Sequence, residues 1–267
     1  MITDWDDAYE NGGYIPGADG YGPKWEQLAD DYRANMANRT KVISSGPQER
    51  EEMDIFLPEG TPKGLAVYVH GGYWRSRHRH LWSHLAAGVV ARGWAMAMPG
   101  YTLCPDVRIA DITQQVRRAI DLAADHVAGP VRISGHSAGG HLAARMACED
   151  IDLKCWDRVD RVVPISGVFD LRPLTRTKMN ADFRMTMQDA VAESPALLTP
   201  KQGAKLIAWV GAAERPEFVR QNTLLASAWS GSFVDTACVE VLGQNHFTVI
   251  EGLSNPSDPL TEALVGY

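Results

Sequence analysis

From residue 65 onward, continuous apolar runs alternate with amphipathic stretches. The run Leu65–Val69 is wholly apolar, as a strand buried on both faces of a sheet requires. Residues 109–127 instead carry apolar side chains near helical spacing, at positions 109, 112, 116, 120 and 123, and predict a long helix. Because strands and helices keep alternating, the pattern predicts an α/β fold with a mostly parallel sheet covered by helices on both faces.

The same pattern predicts the remaining elements of this region. The predicted strands are residues 94–98, 159–165, 205–210 and 234–242, together with the β-branched run that begins at residue 131. The predicted helices are residues 80–91, 141–149 and 215–229, followed by a last helical region. Two earlier stretches, residues 41–44 and 52–57, predict antiparallel strands closed by a turn rich in proline and glycine.

Two parts of the chain depart from this alternation. Residues 1–40 contain turn sequences at residues 11–13 and 20–23 and a predicted helix at residues 25–36, and we expect them to form an arm packed over the body, residues 41–267. Residues 170–201 interrupt the strand–helix order. An insertion of this size over a sheet favours a lid or substrate wall, with a solvated excursion as the equal alternative.

Composition narrows the choice of partners and compartment. The chain has 267 residues, 45% hydrophobic content and a net charge of −7, which favours a small-molecule substrate over nucleic acid or an anionic membrane. The acidic start predicts no signal peptide, and no apolar run is long enough to predict a membrane span. Four widely spaced cysteines predict reduced thiols in a cytoplasmic protein. The sequence is compatible with a homo-oligomer.

The stretch Gly135-His136-Ser137-Ala138-Gly139 joins the predicted strand at residue 131 to a helix-compatible run. Strand, sharp turn and helix in this order are typical of a nucleophile elbow, which exposes a serine hydroxyl above the edge of a sheet. A Cβ at either glycine would collide with the neighbouring strand and helix. The motif by itself is weak evidence, so Ser137 as nucleophile requires a base, an acid and an oxyanion hole elsewhere.

Two glycines, Gly71 and Gly72, follow the buried strand at residues 65–69 after a single residue, His70. Their N–H groups, with that of Ala138 after the serine, are the predicted oxyanion hole. Tyr73 and Trp74 come next in the sequence. We predict that they bind an aromatic leaving group, with core packing as the equal alternative for Trp74.

His246 is the predicted base, because it lies just past the predicted strand at residues 234–242. The other histidines belong to motifs or to predicted helices. Among them His80 and His84 have helical i,i+4 spacing, but no acidic or cysteine ligand accompanies them, so no metal site is predicted.

The acid of such a site should lie between serine and histidine in chain order. Glu214 follows the predicted strand at residues 205–210 by a few positions and is the first candidate. Glu217 is the reserve candidate, with helix capping as its structural alternative. Asp170 is a distant third, and Asp235 begins a strand at the wrong end of the sheet.

Together these motifs resemble the α/β-hydrolase superfamily, and within it the arylformamidase (kynurenine formamidase) branch. The residues that carry the resemblance are His70-Gly71-Gly72-Tyr73-Trp74, Tyr101-Thr102-Leu103-Cys104-Pro105, Gly135-His136-Ser137-Ala138-Gly139-Gly140-His141, residues 166–174 and Asn245-His246-Phe247. The resemblance covers about residues 50–255. It implies Ser137 as nucleophile, Glu214 as acid and His246 as base, although family members commonly carry aspartate in place of Glu214.

The expected function is therefore hydrolysis of a small acyl group, such as formyl, from an aromatic amide or ester through an acyl-serine intermediate. Alternatives are a general short-chain carboxylesterase or thioesterase and, more remotely, a non-catalytic binding protein on a hydrolase fold. No cofactor is predicted, since the sequence contains neither a Gly-x-x-x-x-Gly-Lys phosphate loop nor a Gly-x-Gly-x-x-Gly motif.

Overall fold

The computed structural model describes residues 2–232 and 234–266. The strands are β1 (Thr40–Ser44), β2 (Glu52–Phe56), β3 (Leu65–Val69), β4 (Ala95–Pro99), β5 (Val131–His136), β6 (Val159–Ile165), β7 (Lys205–Gly211) and β8 (Thr236–Val241). The α-helices are α1 (Trp5–Tyr9), α2 (Ala18–Asn35), α3 (Ala86–Ala91), α4 (Ile109–His126), α5 (Ala138–Met146), α6 (Asn180–Phe183), α7 (Met187–Ala192), α8 (Pro216–Ser230) and α9 (Pro259–Val265). None of these described helices is both long and apolar enough to cross a membrane.

In the described residues the strands form one eight-stranded sheet in the order β1-β2-β4-β3-β5-β6-β7-β8. Strand β2 is antiparallel to both of its neighbours, and the strands from β4 to β8 in this order pair in parallel. The mostly parallel sheet predicted from the alternation is confirmed. The carboxyl ends of β3, β5, β6, β7 and β8 lie at one edge of the sheet, where ligands bind in such folds.

The core lies on both faces of the sheet, because β3, β4 and β5 are buried along their whole length. Helices α4 and α5 cover one face, and the predicted apolar stripe of α4 is buried there. Helices α3 and α9 pack on the other face, together with part of α2. Sheets covered on both faces require the wholly apolar strands that the sequence shows.

The predicted turn at residues 20–23 is wrong, because these residues lie inside α2, which begins at Ala18 and contains Pro23. Helix α2 packs against a 3₁₀ helix, Arg79–Leu85, with Trp25 of the one against Trp82 of the other. Such packing overrides the weak helix propensity of two glycines and a proline. The predicted helix at residues 80–91 likewise starts as this 3₁₀ helix and becomes α-helical only at α3.

The segment between β6 and β7 folds into short helical pieces. They are the 3₁₀ helix Arg172–Arg176, then α6, α7 and the 3₁₀ helix Pro195–Leu197. In the N-terminal part of the chain, α1 packs against α8. Helix α2 is flanked by 3₁₀ turns at Gly12–Tyr14 and Ala37–Arg39. Further 3₁₀ turns are Trp156–Arg158 and Glu251–Ser254.

Two fully buried histidines make stability depend on pH. His70 and His141 each hold one ring nitrogen 2.7 Å from a backbone carbonyl oxygen, that of Gly71 and that of Glu193. Burial lowers the pKa of each to about 3. In the unfolded chain these histidines have a pKa near 6.5. As the pH falls from 6.5 toward 3, the unfolded chain therefore binds protons that the folded chain does not bind. The free energy of unfolding decreases over that pH range.

We expect each histidine to remove about 2 kcal/mol from the free energy of unfolding between pH 7 and pH 5. In urea denaturation, His141→Gln should therefore lose about 2 kcal/mol less than wild type over this interval. The exposed His126 gives the surface control. Between pH 7 and pH 5, the free energy of unfolding of His126→Gln should fall by the same amount as that of wild type. An unchanged difference in His141→Gln would contradict the prediction.

Candidate active site

Ser137 lies on the tight turn between β5 and α5, with backbone angles φ 56° and ψ −118°. Few non-glycine residues adopt this conformation, and it persists only where the surroundings impose it. Here the Ser137 amide donates to the carbonyl oxygen of Ile165 at 2.9 Å, and its carbonyl accepts from the His141 amide at 3.1 Å. The turn thus fixes the serine at the carboxyl edge of the sheet, ahead of the first turn of α5.

The glycines that flank this serine leave no room for a side chain. A Cβ at Gly135 would lie 2.2 Å from the carbonyl oxygen of Gly139, and one at Gly139 would lie 1.9 Å from that of Val69. Both distances are far below van der Waals contact, and both obstacles are backbone atoms. The close approach of α5 to β3 and β5 therefore depends on these two glycines.

We expect Gly139→Ala to lower the free energy of unfolding by about 3 kcal/mol or more, because backbone must move to admit the methyl group. Gly20→Ala is the matched control, since Gly20 lies inside α2 and nothing outside the backbone of its own helix lies within 4 Å of its Cβ position. Alanine there should raise stability by about 0.5–1 kcal/mol. Urea denaturation checks both, and equal stability of Gly139→Ala and wild type would refute the steric argument.

His246 and Glu214 form a buried pair at the same edge of the sheet. The Nδ1 atom of His246 lies 2.6 Å from Oε2 of Glu214, and their side chains are 5% and 0% exposed. The other carboxylate oxygen accepts from the hydroxyl of Ser166 at 2.5 Å and from the Gly211 amide at 2.8 Å. The carboxylate is thus held on both oxygens, and Nε2 is the imidazole nitrogen left for a reacting group.

None of the alternative carboxylates contacts His246 in the described part of the chain. Glu217 is buried in a separate network, where it accepts from Tyr9 at 3.0 Å and from Arg220 and Gln221 at 2.7 Å. Asp170 pairs with Arg172 at 2.9 Å, and Asp235 with Lys205 at 3.3 Å. Of the four acids considered from the sequence, the structure brings only Glu214 to the histidine.

The ring of His246 lies between two other rings. Its centroid is 4.5 Å from that of His136 and 4.5 Å from that of Phe218. Burial, and then the neighbouring His246, hold the pKa of His136 well below its usual value. His136 therefore stays neutral and adds no second positive charge beside a His246 that takes up a proton.

A cavity of about 160 Å³ opens over Ser137 and His246. Its other lining residues are Glu10, Asn11, Gly12, Trp25, Gly71, Gly72, Tyr73, Ser76, Arg77, Trp82, His136 and Phe247. In the described residues the Ser137 hydroxyl makes no protein hydrogen bond. Serine and histidine thus line one small cavity, and the hydrogen bond that proton transfer between them requires is of a kind that is often long or poorly aligned until substrate binds.

The predicted oxyanion donors lie beside the serine. A Cβ at Gly71 would be 3.0 Å from the Ser137 Cβ, so this loop passes directly over the nucleophile candidate. Across the described residues, the amides of Gly71, Gly72 and Ala138 donate to no protein acceptor. Free N–H groups around one serine are the arrangement that stabilises a developing oxyanion.

The two predicted substrate-binding aromatics separate in the structure. Tyr73 lines the cavity, and its hydroxyl donates to the carbonyl oxygen of Tyr9 at 2.7 Å. Trp74 is 1% exposed and packs edge-on against Phe183 and His141 in the core. We therefore correct the expectation for Trp74: its ring supports the loop from below and does not line the cavity.

Several residues that surround the site were not predicted from the sequence. An aromatic wall is formed by Trp25, Trp82 and Phe247. The ring centroid of Trp25 lies 4.9 Å from that of Trp82 and 5.3 Å from that of Phe247. Nothing local in the sequence signals this wall, because its members come from distant segments. Ser166 could have been found, since it directly follows the carboxyl end of β6.

Residues 53–222 match the protein family BD-FAE. The match covers more than half of the chain and includes Ser137 and Glu214. The chain belongs to the BD-FAE family. The kynurenine formamidase of Danio rerio is 28% identical to this BD-FAE member over 251 residues, covering 87% of this chain and 83% of the relative. The resemblance to the arylformamidase branch is thus confirmed by curated relatives.

Solved structures give the same fold for this BD-FAE member. A candidate thioesterase from Silicibacter sp. TM1040 is 46% identical, with a TM-score of 0.94 over 98% of this chain and 99% of that one. An esterase from Pyrobaculum calidifontis is 19% identical, with a TM-score of 0.68 over 97% and 94% of the two chains. The α/β-hydrolase fold is confirmed, and the chain is a hydrolase with formamidase and esterase relatives.

Proposed function

We propose that this BD-FAE member is a serine hydrolase that cleaves aryl formamides and small aryl esters through an acyl-serine intermediate. The observation that carries the proposal is the His246–Glu214 pair at 2.6 Å, which opens onto the cavity that Ser137 also lines. A buried carboxylate that fixes a histidine beside a serine on a strained turn is the arrangement that activates such a nucleophile.

In the first half of the reaction the Ser137 hydroxyl attacks the acyl carbon and its proton passes to Nε2 of His246. Glu214 stabilises the imidazolium, and the amides of Gly71, Gly72 and Ala138 receive the negative oxygen. The intermediate then collapses: the bond from carbon to the leaving nitrogen or oxygen breaks, and His246 returns the proton to the leaving group.

In the second half water takes the place of the leaving group. His246 accepts a proton from the water as it attacks the acyl-serine, and the same amides again hold the oxyanion. Collapse returns the proton to Ser137 and releases the acid, which is formate for a formyl substrate.

The shape of the cavity supports a small acyl group and an aromatic leaving group. The volume of about 160 Å³ is modest, which favours a formyl or acetyl group over a long chain. The wall made by Trp25, Trp82 and Phe247 offers ring faces and edges to an aryl group. The Danio rerio relative is named as a kynurenine formamidase, and this name supports the choice of a formyl group.

A second candidate function is a short-chain thioesterase, favoured by the 46% identical structure from Silicibacter sp. TM1040. It uses the same residues with a thiolate leaving group. The catalytic residues act in the same way on an amide, an ester or a thioester. The choice between formamidase and thioesterase activity therefore depends on how the wall of the cavity accepts the leaving group.

The deciding experiment is a substrate panel on the purified protein, with kcat/KM measured for N-formylkynurenine, p-nitrophenyl acetate and acetyl-coenzyme A. We expect the formamide to give the highest value. A thioester preference would replace the proposal with the second candidate. Absence of turnover together with absence of covalent labelling by a fluorophosphonate would refute serine hydrolase activity altogether.

A further inference from the structure

The oxyanion loop, residues 70–77, has a strained backbone. Gly72, Tyr73 and Trp74 follow one another with φ angles of 118°, 53° and 55°. Glycine adopts such angles freely, whereas tyrosine and tryptophan adopt them at a cost in energy, and the strain persists only where surrounding contacts impose it. The contacts that hold this loop therefore determine the direction of the amides at its start.

Both neighbours of Tyr73 are held by backbone contacts. The carbonyl oxygen of Gly72 accepts from the Arg75 amide at 3.1 Å. The carbonyl oxygen of Trp74 accepts from the Cys104 amide at 2.8 Å, and the Trp74 ring is buried in the core. Tyr73 differs, because in the described residues neither its amide nor its carbonyl makes a protein hydrogen bond. Its polar contacts come from its side chain alone.

The hydroxyl of Tyr73 joins the oxyanion loop to the N-terminal segment that contains α1. It donates to the carbonyl oxygen of Tyr9 at 2.7 Å and accepts from Nδ2 of Asn11 at 3.0 Å. A phenol has a single hydrogen and the Tyr9 carbonyl can only accept, so Asn11 has to present its NH₂ group here. The two hydrogen bonds connect positions that are 64 and 62 residues apart along the chain.

Tyr9 is itself firmly held. It is the last residue of α1, so no later turn of that helix donates to its carbonyl. Its buried side chain donates to Oε1 of Glu217 at 3.0 Å and packs edge-on against Phe218. The ring of Phe218 in turn lies 4.5 Å from that of His246. The oxyanion loop is thus connected to α8, the same helix that packs against the predicted base.

The position of this loop matters because it lies so close to the serine. A Cβ at Gly71 would be 3.0 Å from the Ser137 Cβ, and the amide of Gly72 belongs to the peptide unit that follows. A change of φ at Tyr73 would move the peptide units of both glycines. Since hydrogen bonds weaken steeply with angle, a small rotation would reduce their contribution to holding an oxyanion.

We propose that Tyr73 is a positioning residue, whose hydroxyl ties the oxyanion loop to Tyr9 and Asn11 and so keeps the amides of Gly71 and Gly72 directed at the developing oxyanion. The proposal rests on the proposed function. Tyr73 acts through those amides, while proton transfer and bond cleavage stay with the serine and the histidine.

The kinetic test uses Tyr73→Phe, which keeps the ring on the cavity wall and removes only the hydroxyl. We expect kcat to fall about ten- to a hundredfold, somewhat less than the loss of a whole oxyanion donor, with KM within threefold of wild type. The factor should be the same for N-formylkynurenine and p-nitrophenyl acetate, since both halves of the reaction use the same amides. A role in binding the leaving group would instead raise KM and would differ between the two substrates.

Tyr68→Phe is the matched control. The Tyr68 hydroxyl is also buried, on β3 just before the loop, and has no hydrogen-bond partner among the described residues. This variant should retain wild-type kinetics. A kcat of Tyr73→Phe within twofold of wild type, or a loss confined to KM, would overturn the proposal.

Amide hydrogen exchange separates this proposal from the proposed function, because it requires no turnover. The amides of Arg75 and Ser76 donate to the carbonyl oxygen of Gly72 at 3.1 Å and 3.0 Å, so their exchange reports opening of the loop. They should exchange about five- to tenfold faster in Tyr73→Phe, and at the wild-type rate in Tyr68→Phe. Unchanged exchange in Tyr73→Phe would overturn the role of Tyr73 even in an active enzyme. Faster exchange in a protein without turnover or fluorophosphonate labelling would overturn only the proposed function.

Discussion

Replacing Ser137 by alanine is expected to lower kcat/KM for an aryl formamide or ester by a factor on the order of 10⁴ or more, because the attacking atom is lost. The stability of the protein should change little. In the described residues the hydroxyl makes no protein hydrogen bond, and alanine removes one atom from the wall of an existing cavity. Steady-state kinetics and thermal unfolding measure the two effects.

Ser254→Ala is the control for this substitution, since Ser254 is exposed and its hydroxyl only donates to the carbonyl oxygen of Glu251 at 2.7 Å. It should retain wild-type kinetics. Fluorophosphonate should label wild type and Ser254→Ala, and should fail to label Ser137→Ala. Turnover by Ser137→Ala within tenfold of wild type would remove Ser137 from the mechanism.

Replacing Glu214 by glutamine is expected to lower kcat by a factor on the order of 10³–10⁴, with a much smaller change in KM. The side chain keeps its shape but loses the charge that stabilises an imidazolium. Its amide group would also replace one of the two acceptor oxygens by an NH2 donor, which would face either Nδ1 of His246 or the Ser166 hydroxyl and the Gly211 amide, all of which now donate to the carboxylate. The histidine would therefore take the wrong tautomer or turn away.

Glu217→Gln makes the same chemical change three residues further along, at a carboxylate that is 2% exposed. It breaks the ion pair with Arg220, so we expect a loss of stability but kcat within a few-fold of wild type. A kcat loss in Glu217→Gln equal to that in Glu214→Gln would show that both act through structure alone. The dependence of kcat on pH should change in Glu214→Gln only.

The parts of the site that depend on local sequence could be predicted. The serine turn is such a part, because only glycines tolerate the contacts at positions 135 and 139. So is the placement of Glu214 and His246, which follow strands whose carboxyl ends share one edge. Each of these inferences needs only a strand, a turn and the order of elements along the chain.

The wall of the cavity could not be predicted in this way. Trp25 meets Trp82 only because α2 lies across the 3₁₀ helix Arg79–Leu85, a contact between segments more than fifty residues apart. The same packing turned the predicted Gly20–Pro23 turn into helix. For Trp74 the sequence predicts substrate binding and core packing equally, because it follows the predicted oxyanion glycines. The structure decides for core packing, since its ring is buried and its backbone has a positive φ of 55°.

The N-terminal residues carry a consequence for how such enzymes diversify. Glu10, Asn11 and Trp25 come from the first forty residues, whereas the serine, the carboxylate and the histidine come from loops after β5, β7 and β8. Mutations accumulating in this early stretch can therefore shift which compounds are admitted without disturbing proton transfer. Proteins descended from one ancestor can in this way acquire different substrates while they keep the same catalytic reaction.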